Sequence, residues 1–419
     1  MAEASVVVTT TPELLAAVAE PEIRIIEVRG RLTEVPAFRL QPGVTLFGDA
    51  GAASLVFQAG QDGVQLSADN TLLRLSLEAS PECRAIWNDT SLRSLGRLSL
   101  AELTASGQVQ ILARDAVVDG QVEVAGLDIF AADARNRPDR PNDFGVDVEQ
   151  GAFTLWNMQP DPKVVIGAEL TGLSAGRPGA PVFGSGIFVS GHGSGGGRLC
   201  VSVLETEAVY SDGLIKPGTA GLITGGVFVV YGAYVDLVRN RKPVTTYGTN
   251  DMVLDNWGRV DRWIAEDKIT SHGPSSIGFV NFGTVCELQV DATIETFGTG
   301  SRGYNVLAGT VTTTEMDRIV THGDAAMGIL LNQPVGRIVV RRGIETHGGV
   351  GETLVEGVIV ELPATGLSLW SGGRAREIEI FGGLRTHTPG IEPIEVQGAV
   401  EALRISGGIS AASGDPASS

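Results

Sequence analysis

Three cysteines in 419 residues, Cys83, Cys200 and Cys286, are odd in number and far apart. That excludes a disulfide framework and a cysteine-built zinc centre. Aromatic residues make up only 5% of the chain and there is no long apolar run, so no membrane-spanning helix and no membrane partner are expected. Basic residues are outnumbered, 31 against 49 acidic, for a net charge of −18. This argues against nucleic acid as a partner. It also argues against a strongly polyanionic substrate unless Ca²⁺ or a local basic patch compensates. The opening MAEASVVVTT has neither a basic nor an apolar leader segment. As written, the chain reads as soluble and cytoplasmic, or extracellular if a leader has been removed.

What the chain has in plenty is glycine, 56 residues, and a motif that returns every 25 positions. Thr246-Tyr247-Gly248, Ser271-His272-Gly273, Thr296-Phe297-Gly298, Thr321-His322-Gly323 and Thr346-His347-Gly348 mark it. A fixed period of this length defines a solenoid, in which each coil buries its apolar face only by stacking on the next. Two residues before each Thr or Ser stand Val244, Ile269, Ile294, Ile319 and Ile344, which predicts an inward aliphatic column. Alternation along a strand then turns the Thr/Ser column inward and the Tyr/His/Phe column outward. The glycines that follow are expected at a sharp bend with positive φ. Period-2 β-branched runs and the lack of a 3.6-residue apolar stripe exclude helical repeats. The fold predicted is all-β, a parallel β-helix.

The period survives a break, since 378–384 matches 338–344 after 40 positions, one coil plus a 15-residue insertion between about 348 and 373. A single domain over 1–419 follows: an N-terminal cap at 1–42, irregular coils at 43–240, regular coils at 241–409 and a tail at 410–419. Thr11 followed by Pro12 and a short apolar run predicts a capping helix. Strands are expected at 23–28, 43–47, 64–66 and 72–77. A capping helix followed by IIEVRGRL, LQPGVTLFGDAG and a coil beginning at Asn70 resembles the start of the pectate-lyase-like right-handed β-helix proteins. The later coils, with I-x-T-x-G before an aliphatic strand, resemble passenger domains of bacterial autotransporters. These resemblances imply a single right-handed solenoid with a short N-terminal capping helix, and transfer no activity by themselves.

Three places carry candidate chemistry. The outward column holds Tyr247, His272, Phe297, His322 and His347, with His387 a further 40 residues on. It reads either as a packing ladder or as a platform for sugar rings. Adjacent imidazoles should resist double protonation, which predicts depressed titration of His322 and His347. No carboxylate or third histidine of metal-ligating geometry is evident there, and neither metal nor cofactor is expected. The coil that opens the array carries Asn250, Asp251, Asp255, Asn256 and Trp257, with Asn281, Arg302 and Asn305 in the coils that follow. Asp251 and Asp255, taken as exposed turn acids beside Tyr247 and His272, suit an acid/base pair at a glycosidic bond. Asn256 and Asn281 read either as substrate contacts or as an asparagine ladder. Third, Gly191-His192-Gly193 and Ser211-Asp212-Gly213-Leu214-Ile215-Lys216 resemble fragments of the polygalacturonase signature, as does Asn142-Asp143-Phe144-Gly145-Val146-Asp147 of its first acidic motif. That resemblance implies roles for His192, Asp212 and Lys216. The paired aspartates expected between the fragments are missing, and Leu214 stands where that family has Arg.

Two functions follow. One is a carbohydrate-active enzyme, a glycoside hydrolase, lyase or glycosyl-transferring protein acting in a lateral groove. In it Asp251, Asp255, His272 and Asp212 are catalytic, and Tyr247, Asn250, Asn256, Trp257, Asn281, Arg302, Lys216 and His192 hold substrate. The other is a non-catalytic binding or structural β-helix. A homotrimer or homodimer through a flat sheet face is compatible with either.

Overall fold

A computed structural model describes residues 4–49, 53–193, 195–355 and 358–412. Strands dominate, nearly all paired in parallel, and a single helix precedes them. No helix among the described residues is long and apolar enough to cross a membrane. The chain divides into two compact units. The first comprises Met1–Pro138, Gln150–Tyr210 and Val230–Asp236, the second Asp139–Glu149, Ser211–Val229 and Leu237–Ser419.

The first unit opens with a strand, Ala4–Val8, and the helix Thr11–Ala19. The helix cap is Thr10, one residue earlier than the sequence suggests. The Glu13 amide donates to the Thr10 hydroxyl while the Glu13 carboxylate accepts from the Thr10 amide, closing a capping box. Strands form at Ile23–Val28, Thr45–Gly48, Val64–Leu66, Thr71–Leu73 and Ser76–Glu78, close to the predicted spans. Longer strands, Ser94–Ser106, Asp119–Ala131 and Val165–Ala175, then pair in parallel, with Leu98 opposite Val122 and Val122 opposite Ala168. A second set, Arg84–Asn88, Gln108–Ala113, Gly151–Asn157 and Ser185–Ser190, pairs likewise.

The second unit contains the regular array. Val244, Ile269, Ile294, Ile319, Ile344, Leu384 and Ile409 are successive register partners, and all but the terminal Ile409 are buried. The Thr/Ser column is buried too, for a reason the alternation rule alone does not supply. Thr321 and Thr386 donate their hydroxyls to the carbonyls of Ala326 and Ile391, 2.9 Å in each case, so this column ties down the turn that follows it.

The glycine column corrects the expectation of positive φ. Gly248, Gly273, Gly298 and Gly323 are absent from the left-handed region, which is occupied two residues later by Asn250, Ser275, Gly300 and Ala325 at φ between 55° and 66°. Glycine is required at the earlier position because a Cβ on Gly273, Gly298 or Gly348 would overlap the carbonyl oxygen of the glycine one coil before. Coil stacking, rather than turn conformation, selects the residue. The outward column forms a ladder of six rings, Tyr247, His272, Phe297, His322, His347 and His387. Its centroids are 4.2–5.2 Å apart and its rings lie within 14° of parallel. An antiparallel hairpin, Val350–Val355 with Val358–Pro363, fills most of the break in the period.

Candidate functional site

The predicted acids are not at the surface. Asp251 and Asp255 are both fully buried, which overturns their reading as exposed turn acids. Asp251 accepts hydrogen bonds from the amides of Gly248 at 2.7 Å and Gly213 at 3.2 Å and from the Thr224 hydroxyl. It thereby fastens the turn at 248 to the segment after Asp212. Burial pushes its carboxyl up to about 7, those three donors offset part of that rise, and Asp212 adds to it. The expected outcome is a carboxyl carbon of Asp251 titrating near neutrality rather than near 4 in a ¹³C NMR titration. Because the folded value exceeds the unfolded one, this group favours the folded state most below pH 4, and that contribution is lost as pH rises toward 7. A midpoint near 4 would contradict the burial.

Asp255 lies beside Trp257. Burial drives its carboxyl well above the usual range, the Trp257 indole and the Asn256 amide offsetting only part. Asn256 and Asn281 are fully buried, and Asn256 donates to the Asn281 side chain at 2.8 Å. Asn281 continues to the Ala308 carbonyl at 3.1 Å, so the two form an internal ladder rather than a ligand contact. Trp257, 5% exposed, sits in a cluster with Phe144, Phe228 and Phe282 at centroid distances of 5.2–5.5 Å. Tyr247 and His272 are rungs of the exterior ladder. Burial, with Glu295 opposing it, lowers the titration of His272. His347 is lowered as well, by burial first and then by His387 and His322. Asp212 accepts from the Leu214 amide at 2.7 Å, and Lys216 is exposed. His192 belongs to the first unit, exposed in the turn that its amide closes onto the Gly197 carbonyl.

What the second unit does contain is a cleft of about 610 Å³. Its floor is one register column, Met252, Ile277 and Arg302. One wall is the tip of a hairpin, Asn142–Asp143 with Val146–Val148, which presents Phe144. Phe144 at φ 51° and Gly145 at φ 80° make the tight turn, and the Phe144 ring rests on Phe282 at 4.7 Å. Ala220–Ile223 forms a second wall, held by Asn250, whose amide donates to the carbonyls of Thr219 at 2.8 Å and Leu222 at 3.2 Å. Leu307 and Ala308 close a further side.

Arg302 is the anomaly in this lining. It is 6% exposed, and its guanidinium has no hydrogen-bond or ion-pair partner among the described residues. Burial alone lowers it from 12.5 to about 10, with no carboxylate acting to restore it. On the same strand Asn305 is fully buried, with both amide atoms unsatisfied. Buried polar groups are nearly always paired, and Arg302 is an exception in the lining of this cleft. Of the residues predicted to bind, only Asn250 and Arg302 meet here; Phe144 and Phe282 were not singled out as ligand contacts. Comparison of the chain with protein-family profiles, with curated proteins and with solved structures finds no match.

Proposed function

We propose that this chain is a right-handed parallel β-helix, of the kind its N-terminal coils resemble, that binds a carbohydrate ligand without cleaving it. The ligand is an acidic sugar of low total charge, its carboxylate on Arg302 and its ring against Phe144 and Phe282. The observation that carries this reading is the buried, unpaired Arg302 in an aromatic-walled cleft. Guanidinium matches a carboxylate in planar, bidentate fashion. Aromatic walls suit the apolar face of a sugar ring. A net charge of −18 disfavours long polyanions, so a singly charged ligand fits better than a chain of uronates.

The absence of cleavage rests on the lining itself. Arg302 is the sole ionisable side chain among the described residues around the cleft, whereas hydrolysis needs two carboxyl groups flanking the bond. One observation favours a second reading. The unpaired Arg302 that receives a uronate carboxylate would also neutralise its charge, which acidifies the neighbouring C–H and so suits β-elimination from a uronate. A panel of neutral and uronate-containing oligosaccharides, followed both for binding and for the ultraviolet absorbance of an unsaturated product, separates the two. Binding of acidic sugars without new absorbance is expected. Turnover would replace the binding reading with the lyase, and preference for neutral sugars would remove Arg302 from both.

A further inference from the structure

The geometry points to a transition-metal site of the Zn²⁺, Ni²⁺ or Cu²⁺ class on the far end of the ring ladder, made by Glu345, His347 and His387. One atom of each residue, the carboxylate oxygen and a nitrogen of each imidazole, lies within 4.8 Å of the other two. The Glu345 Oε2 is 4.0 Å from His347 Nε2 and 3.5 Å from His387 Nε2. Two residues on one strand end supply the carboxylate and the first imidazole. The second comes from a residue 40 positions on, brought alongside because the hairpin insertion leaves the next coil in register, Glu345 opposite Arg385. The sequence expectation of no suitable carboxylate beside the histidine line is corrected by Glu345.

The backbone under these ligands is fixed. The His347 amide donates to the Thr321 carbonyl and the His387 amide to the Thr346 carbonyl, 2.8 Å each, and the Thr388 hydroxyl donates to the His347 carbonyl at 2.7 Å. Arg318 holds the other oxygen of Glu345, Oε1, at 2.9 Å, orienting Oε2 toward the imidazoles as a supporting partner does around a metal ligand. The two rings are stacked at 4.2 Å and 1°. Chelation therefore requires each to swing about its Cβ–Cγ bond, a soft torsion, and all three side chains are partly exposed, which leaves room for it. Arg318 and Arg385 face the site, and their positive charge opposes a cation and sets the affinity below that of an enclosed structural site; the His322 ring stacks on His347. Two imidazoles and one carboxylate select borderline metals over Ca²⁺ and Mg²⁺, and leave positions open to water or ligand.

The test is calorimetric titration of the full chain with zinc chloride in a chelator-free buffer at pH 7.5. One ion per chain is expected. His347→Asn, His387→Asn and Glu345→Gln should each weaken binding about tenfold or more, whereas His272→Asn, separated from His347 by the Phe297 and His322 rungs, should leave it unchanged. Circular dichroism confirms that each variant is folded. For a variant that fails to fold, broadening of the wild-type His347 and His387 imidazole resonances by Ni²⁺ gives the same answer. No one-to-one binding, or equal weakening by His272→Asn, overturns the site.

Discussion

Replacing Arg302 with methionine is expected to stabilise the free protein while weakening its capture of acidic ligands. Burial lowers Arg302 to about 10 from 12.5, a penalty of about 3 kcal/mol for holding it charged. No partner among the described residues offsets that penalty. Methionine keeps an unbranched apolar stem in a column whose neighbours are Ile277 and Met327, and removing an uncompensated charge from such a place should gain about 1–3 kcal/mol. Binding should fall by about 10–100-fold, the loss of one or two charge-assisted hydrogen bonds. Thermal denaturation and calorimetry on the same preparations check both halves. A large drop in stability would mean that Arg302 is a structural residue whose partner lies within the protein, and the cleft would lose its reason to bind anions.

The second large effect is expected at the glycine column. Gly298→Ala should destabilise the second unit by about 3 kcal/mol or more, because the added Cβ meets the Gly273 carbonyl and neither coil can move without disturbing its neighbour. If glycine served only to allow positive φ, alanine would cost about 1 kcal/mol. Ala325 already occupies a left-handed position in this array, so that demand alone does not require glycine. Urea denaturation of Gly298→Ala beside Gly218→Ala, whose φ is 81° with open space around it, distinguishes a packing clash from conformational strain. Equal, small losses in the two variants would contradict the stacking explanation.

The coil periodicity was legible because stacking forces one residue type into each column. Val244 and the isoleucines after it, the buried Thr/Ser column and the outward rings all followed from alternation and a 25-residue count. Burial of the acids was not legible. Asp251 looks like any turn acid until the Thr224 and Gly213 donors, distant in sequence, are brought to it. The cleft was hidden for a related reason, since Phe144 arrives on a hairpin from outside the array. One signal was available. Reading the column Met252, Ile277, Arg302, Met327 exposes a lone arginine among apolar residues, which no core requires. Glu345 and His347 gave no signal of a shared cluster in sequence, because His387 comes beside them only once the hairpin insertion is set aside and the next coil falls in register.

The central claim is that Arg302 makes the cleft a receptor for a carboxylate. Its most direct test is calorimetric titration of the full chain with glucuronate-terminated oligosaccharides and with their methyl esters, alongside a sugar phosphate. The esters keep ring, size and hydroxyls and lose only the charge that guanidinium recognises. Measurable binding of the acid, with the ester weaker by about tenfold or more and the phosphate weaker than the acid, is the predicted result. Equal binding of acid and ester, or binding of neither, would contradict it.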